Sequence, residues 1–231
     1  MNQQVALIAF QAVVLIFAFC IHECAHAWTA WRLGDPTAKM LGRVTLNPAK
    51  HLDPLGSVIL PLIAVFYNLP LIGWAKPTPV TPRNFRNYRR DDILTTMAGP
   101  ASNLLVALVC LVGLVILKHT PNGQVAVFSA VGLALRVPGV STVNLPALFP
   151  IALLLYFGIL INLALFVFNL IPIPPLDGSH VLRHYLPTRA LALYDRIGMF
   201  SLILFLLLGG RILSYFLAPL QNGFDQLLFS M

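Results

Sequence analysis

Charge is what this sequence has least of. Asp, Glu, Lys and Arg make up 10% of its 231 residues, whereas a soluble globular domain carries about 25%. That deficit excludes an ordinary soluble domain, and a hydrophobic share of 58% points to the membrane class. Cysteine is scarce too. Cys20, Cys24 and Cys110 all lie in apolar stretches, and so sparse and odd a set supplies no disulfide framework; they read as small buried hydrophobes. The opening residues, Met1-Asn2-Gln3-Gln4, lack the basic region of a secretory signal. The apolar stretch behind them runs past signal length and contains polar residues, so it reads as a permanent membrane helix. Internal repeats, low-complexity tracts and room for a sizeable soluble domain are likewise missing.

What charge there is carries a net +7. The densest run, Arg83, Arg86, Arg89 and Arg90, has too little chain around it to build a nucleic-acid-binding module. Basic residues cluster between apolar stretches, as in the cytoplasmic loops of membrane proteins. The expected partner is the lipid bilayer, and nucleic acid is not expected.

A spanning helix needs about 20 mostly apolar residues. Four segments qualify: Val5 to Leu33, closed by the helix stop Gly34-Asp35-Pro36; Ile93 to Leu117; Ala147 to Leu170; and Ile197 to Leu217. Residues 54–69 start with the N-cap signature Asp53-Pro54 but are short and interrupted by Pro61, which suggests a re-entrant or half-helix. Val125 to Leu135 reads as loop or interfacial helix. The β-branched and turn residues of Leu41 to Pro48 suggest a small β-hairpin at the cytoplasmic membrane surface. The fold class is therefore an all-α polytopic membrane protein of about four spanning helices, a re-entrant half-helix and a hairpin. A single domain covers 1–231, with a core at about 4–187 and an additional helix at about 197–218. The basic segments 32–50, 76–90 and 183–196 are assigned to the cytoplasm.

The chemistry-bearing pattern is His22-Glu23-Cys24-Ala25-His26, inside the first helix. Residues four apart stack on one helical face, so both imidazoles can reach one Zn²⁺. Glu23 lies beside them, placed to take a proton from water at the metal. Cys20 and Cys24 are offset by two residues, about 200° around the helix, and face away. Ionisable groups in an apolar helix are functional by default. His22 stands about 27 Å along a helix begun near Gln4, close to the far side of a hydrocarbon core about 30 Å thick. A catalytic zinc commonly takes three protein ligands. In Phe168-Asn169-Leu170-Ile171-Pro172-Ile173-Pro174-Pro175-Leu176-Asp177-Gly178 the prolines must break the helix, and unwound backbone at membrane depth is tolerated where it lines a polar cavity. Asp177, at the end of this break, is the best candidate for the third ligand; the alternative is an N-cap for the residues after it.

HECAH in a membrane helix, with FNLIPIPPLDG far downstream, resembles the site-2 protease family of intramembrane zinc metalloproteases (M50-type). The stretches Leu46 to Gly56, Gly73 to Val80 and Ala98-Gly99-Pro100-Ala101-Ser102-Asn103 resemble it too, so the likeness covers about residues 15–185. The resemblance implies one zinc ion held by His22, His26 and Asp177, with Glu23 as general base. It implies a membrane-protein substrate cut in or near a transmembrane segment, in the cell membrane of a prokaryote with the active site toward the cytoplasm. It also implies substrate contacts for Asn169 and an oxyanion role for Asn103, although either Asn equally suits a hydrogen bond between helices. Relatives with a PDZ domain differ from this short form. His51 sits in a motif-like stretch with no assigned role, and the sequence sets no oligomeric state. The alternative function is a non-catalytic zinc-binding scaffold, which would call for a closed four-ligand site.

Overall fold

The structure is a computed structural model that describes residues 3–60, 63, 73–140 and 144–230; of residues 3, 58, 197 and 199–212 only the backbone is described. The chain is mostly helical. In order come α1 (Gln3–Leu33), α2 (Tyr88–Lys118), α3 (Gly123–Ala134), α4 (Phe149–Leu170), α5 (Asp177–Arg183) and α6 (Thr188–Ser230), with single helical turns between α1 and α2. Among the described residues, 4–33, 88–118 and 149–170 are helices long and apolar enough to cross a membrane. The expected fourth span, 197–217, falls inside α6, but most of its side chains lie outside the described ones.

α2 packs on both α1 and α4, which also touch each other, while α3 packs on α4. In a bilayer the lipid is as apolar as the helix surface, so association relies on close packing, which small residues permit. The contacts follow that rule. Ala107, Ala126, Ala130 and Ala152 are fully buried at the junction of α2, α3 and α4. A Cβ on Gly158 of α4 would stand 2.6 Å from the Cys110 sulfur of α2, so only glycine lets those two helices meet there. Around these sit Leu114, Val127, Leu153, Tyr156 and Phe157, joined by Phe224 and Leu228 from the end of α6.

Residues 123–134 take the helical of the two forms expected there, loop or interfacial helix. They form α3, a helix with seven buried residues. The apolar run is too short to span, and it gains its place by tertiary packing against α4 instead of by propensity.

The expected hairpin at 41–48 is also corrected: no strand occurs among the described residues, and the nearest feature is an isolated antiparallel bridge between Leu52 and Ala75. Side-chain hydrogen bonds, not a strand ladder, hold this region together. The buried Arg43 donates to the Lys50 and Lys76 carbonyls. His51, fully buried, donates from Nε2 to the Thr45 carbonyl at 2.8 Å. Pro48 then starts a 3-10 turn capped by Asn47. Asp53 caps the following turn, Pro54–Ile59, as its spacing predicts, accepting from the Leu55 and Gly56 amides. The re-entrant course expected for 54–69 lies largely outside the described residues.

α1 is 31 residues long, about 46 Å at 1.5 Å per residue, and therefore exceeds a hydrocarbon core of about 30 Å. Its final turns carry an interfacial signature: Trp28 lies under the Arg32 guanidinium at 5.7 Å, and Trp31 under the Lys39 ammonium at 3.6 Å. Paired aromatic and basic residues belong at a membrane–water boundary. Beyond them the helix stops as expected. Gly34 takes φ +116, a conformation open to glycine, and the fully buried Asp35 accepts from Thr37 Oγ1 (2.5 Å), the Thr81 amide (2.7 Å) and Asn84 Nδ2 (2.8 Å). These bonds tie the segment leading into α2 to the end of α1.

Candidate active site

Three elements converge about two turns inside α1 from Trp31. His22 and His26 project from α1 toward α2, where Gly99 makes room for them: a Cβ at position 99 would overlap His26 Nε2 and stand 2.6 Å from His22 Cε1. Asp177 arrives as the first residue of α5, just past the proline-broken stretch 171–176. Gly178 beside it allows α5 to abut the end of α4, since a Cβ there would stand 2.7 Å from the Ile171 carbonyl oxygen. Asp177 caps nothing; its carboxylate turns to the histidines.

The resulting triangle is compact. His22 Nε2 and His26 Nε2 lie 3.0 Å apart, and Asp177 Oδ2 is 3.2 Å from the first and 3.5 Å from the second. A tetrahedral metal with ligand bonds of about 2.0–2.1 Å puts its ligand atoms about 3.3 Å apart, so the three edges match one face of such a tetrahedron. The opposite ring nitrogens are engaged. His26 Nδ1 lies 2.8 Å from the Thr95 carbonyl and His22 Nδ1 lies 2.6 Å from Asn103 Oδ1. A carbonyl only accepts, so His26 carries its proton on Nδ1 and presents a lone pair from Nε2. Asp177 Oδ2 is buried without a hydrogen-bond donor among the described residues. Converging lone pairs and a buried carboxylate oxygen repel each other unless a cation lies between them; the donor set of two imidazoles and one carboxylate suits zinc. Among the described residues, His22, His26 and Asp177 form the single cluster of metal-ligand type; Cys20 and Cys24 are outside it.

Glu23 is buried, and the Thr78 hydroxyl lies 2.7 Å from its Oε2 and 3.0 Å from its carbonyl. Thr78 belongs to the irregular segment 76–80, which thereby lies against the Glu23 carboxylate.

Asn103 is fully buried and both ends of its amide are engaged: Oδ1 with His22, and Nδ2 donating to Asn162 Oδ1 at 2.9 Å. The structure thus gives it a partner in the metal site in place of the open donor that an oxyanion role needs. Asn162, in turn, donates from Nδ2 to the Gly158 carbonyl at 2.8 Å. Side-chain hydrogen bonds between membrane helices contribute about 0.6 kcal/mol on average, so this chain of amides is weak as glue. Asn169 is half-buried and donates to the Leu165 carbonyl at 3.0 Å, one turn back in α4. Beneath α5, His184 meets Asp92 at 2.6 Å, which joins the helix bearing Asp177 to the start of α2.

The sequence reading did not single out Gly99, Thr95, Asn162 or Thr78. Gly99 stood within a quoted stretch. Thr95 acts through its backbone, which leaves no trace in residue type. Asn162 had a signal, a lone amide in an apolar helix, that the two other asparagines overshadowed.

Residues 10–209 match the family model Peptidase family M50. The chain belongs to that family. Among similar proteins, one named "Putative zinc metalloprotease YwhC" from Bacillus subtilis is 37% identical over 225 residues, covering 96% of this chain and 91% of the relative. "Putative zinc metalloprotease Rip2" from Mycolicibacterium smegmatis is 33% identical over 195 residues, 83% of this chain and 64% of the relative. Its namesake from Mycobacterium tuberculosis is 28% identical over 212 residues, 90% of this chain and 66% of the relative. The chain thus spans nearly all of the first and about two thirds of the others. No solved structure matches. This M50 peptidase is a zinc metalloprotease and an integral membrane protein, and His22, His26 and Asp177 fit its metal.

Proposed function

We propose that this M50 peptidase hydrolyses a peptide bond in or near a transmembrane segment of another membrane protein. His22, His26 and Asp177 hold one zinc ion in this reading, and Glu23 is the general base. The observation that carries it is depth: the ligand triangle is buried between α1, α2 and α5, one to two turns inside the Trp28 and Trp31 boundary. In this reading a substrate segment reaches it from the bilayer. The basic segments flanking that boundary favour the cytoplasmic side of a prokaryotic cell membrane.

Bound zinc supplies Lewis acidity toward the scissile carbonyl and lowers the pKa of the attacking water. The chain's own residues supply the rest. Glu23 takes the proton from that water and returns it to the leaving amine, with the Thr78 hydroxyl fixing one of its two oxygens. A helical substrate hides its carbonyls in i→i−4 bonds, so the cut stretch must unwind. A cleft of about 560 Å³ beside Thr78, lined in part by Arg43, Lys50, Lys76 and Pro77, has room for such an extended flank. Asn169, placed just before the chain breaks, is positioned for the substrate backbone, while Asn103 orients His22.

A scaffold would call for a closed site, whereas a three-ligand set leaves a position open for chemistry. The test compares membranes holding wild-type or Glu23→Gln protein by quantitative proteomics. The expected result is one or more membrane proteins that stay uncut only with Glu23→Gln; identical fragment patterns with fully zinc-loaded protein would leave the scaffold standing.

A further inference from the structure

We infer that Asn162 is a positioning residue of the zinc site: through Asn103 it dictates which nitrogen of His22 faces the metal. The deduction starts at the Gly158 carbonyl, which can only accept a hydrogen bond. Asn162 approaches it at 2.8 Å, so the atom doing so is the amide nitrogen and Asn162 Oδ1 faces the other way. Asn103 meets that oxygen at 2.9 Å, so Asn103 contributes its own nitrogen there and turns Oδ1 toward His22. His22 Nδ1 lies 2.6 Å from that oxygen and must carry the ring proton. The lone pair is then on Nε2, 3.2 Å from Asp177 Oδ2, where a metal needs it.

An isolated asparagine next to His22 would lack this direction. Its amide can rotate by half a turn and present NH₂ to Nδ1, which stabilises the opposite tautomer with hydrogen on Nε2 and no free pair for zinc. Asn162 removes that freedom. Asn162, at 1% exposure, and Asn103, at 0%, are both shut off from bulk solvent. The two histidines therefore reach the same tautomer by different means. His26 donates straight to a backbone carbonyl of α2 at Thr95, whereas His22 is governed by a carbonyl of α4 relayed through two amides. Fixing the tautomer of a ligating histidine through its other nitrogen is a recognised way to tune metal affinity.

The inference rests on the zinc site described above, so zinc affinity is measured and not cleavage, and the two readings fail separately. Purified wild-type, Asn162→Leu and Asn162→Asp proteins are stripped of metal and titrated with zinc against a chelator, and the melting temperature of each metal-free protein is recorded. His22→Ala serves as the control for the site itself. Asn162→Leu, close in volume, is expected to bind zinc about 10–100-fold more weakly while still folding cooperatively without metal. Asn162→Asp, whose buried acid stays protonated, can donate to Gly158 and accept from Asn103, and is expected to bind within a few-fold of wild-type. Wild-type affinity in Asn162→Leu overturns the inference. So does an equal loss in both variants, or an Asn162→Leu protein that does not fold, since either assigns Asn162 to helix packing.

Discussion

Gly99 and His26 stand on adjacent helices with no room for a methyl group between them: a Cβ at position 99 would lie 2.5 Å from His26 Cε1. Small residues at helix contacts commonly serve packing alone. Here the contact also sets where two ligands sit. Gly99→Ala must displace a ring already anchored to the Thr95 carbonyl. The expected result is at least a tenfold loss of zinc affinity, read by chelator competition, in a protein that still folds. Alanine with native affinity would show that the rings have slack.

Asp177→Ala removes the ligand that closes the triangle. Zinc content measured by mass spectrometry after dialysis should drop well below one ion per chain, while Glu23→Gln should keep its ion. Full occupancy in Asp177→Ala would place the third ligand elsewhere.

Thr78→Val keeps the shape of the side chain and deletes the hydroxyl that meets Glu23 Oε2 at 2.7 Å. A carboxylate free to rotate spends less time aligned with the attacking water, which lowers kcat by about 10-fold if the loss is about 1.4 kcal/mol, within the range for a hydrogen bond to a charged group. Zinc content should not change. Steady-state assays on a cleaved substrate separate this from a KM effect, which would point to substrate contact by the 76–80 segment instead.

Asp35 gives a pH-dependent signature away from the metal. Burial alone would raise its pKa, but hydrogen bonds from Thr37, Thr81 and Asn84 prevail and depress it. A carboxyl with a depressed pKa stabilises the fold fully above its unfolded value of about 3.9 and loses that contribution as pH falls through the folded value. Asp35→Asn should therefore lower the melting temperature at pH 7, by the equivalent of about 2 kcal/mol for a lost charged hydrogen bond. The gap to wild-type should narrow below about pH 4. A gap independent of pH would mean that Asp35 acts through shape and not charge.

Much of the site was legible in the residues themselves. The i, i+4 histidines, the stop at Gly34-Asp35-Pro36 and the proline-broken run before Asp177 are local signals, each with one physical consequence. The parts that stayed hidden depend on what lies opposite in space. α3 reads as loop or interfacial helix because its stabilisation comes from α4, not from its own sequence. The β-branched residues of 41–48 suggest a strand, but His51 takes the Thr45 carbonyl and Arg43 reaches out of the stretch to the Lys50 carbonyl. Asn162 is a single polar residue whose partner Asn103 lies far along the chain, and Thr78, although inside the quoted stretch 73–80, meets Glu23 only through the fold.

The ligands also differ in when they are made. A ribosome produces His22 and His26 early and Asp177 only after α1, α2 and α4 have been synthesised. Until then the emerging chain offers zinc two imidazoles and no carboxylate from α5. The three-ligand site therefore cannot be complete before α5 has been made.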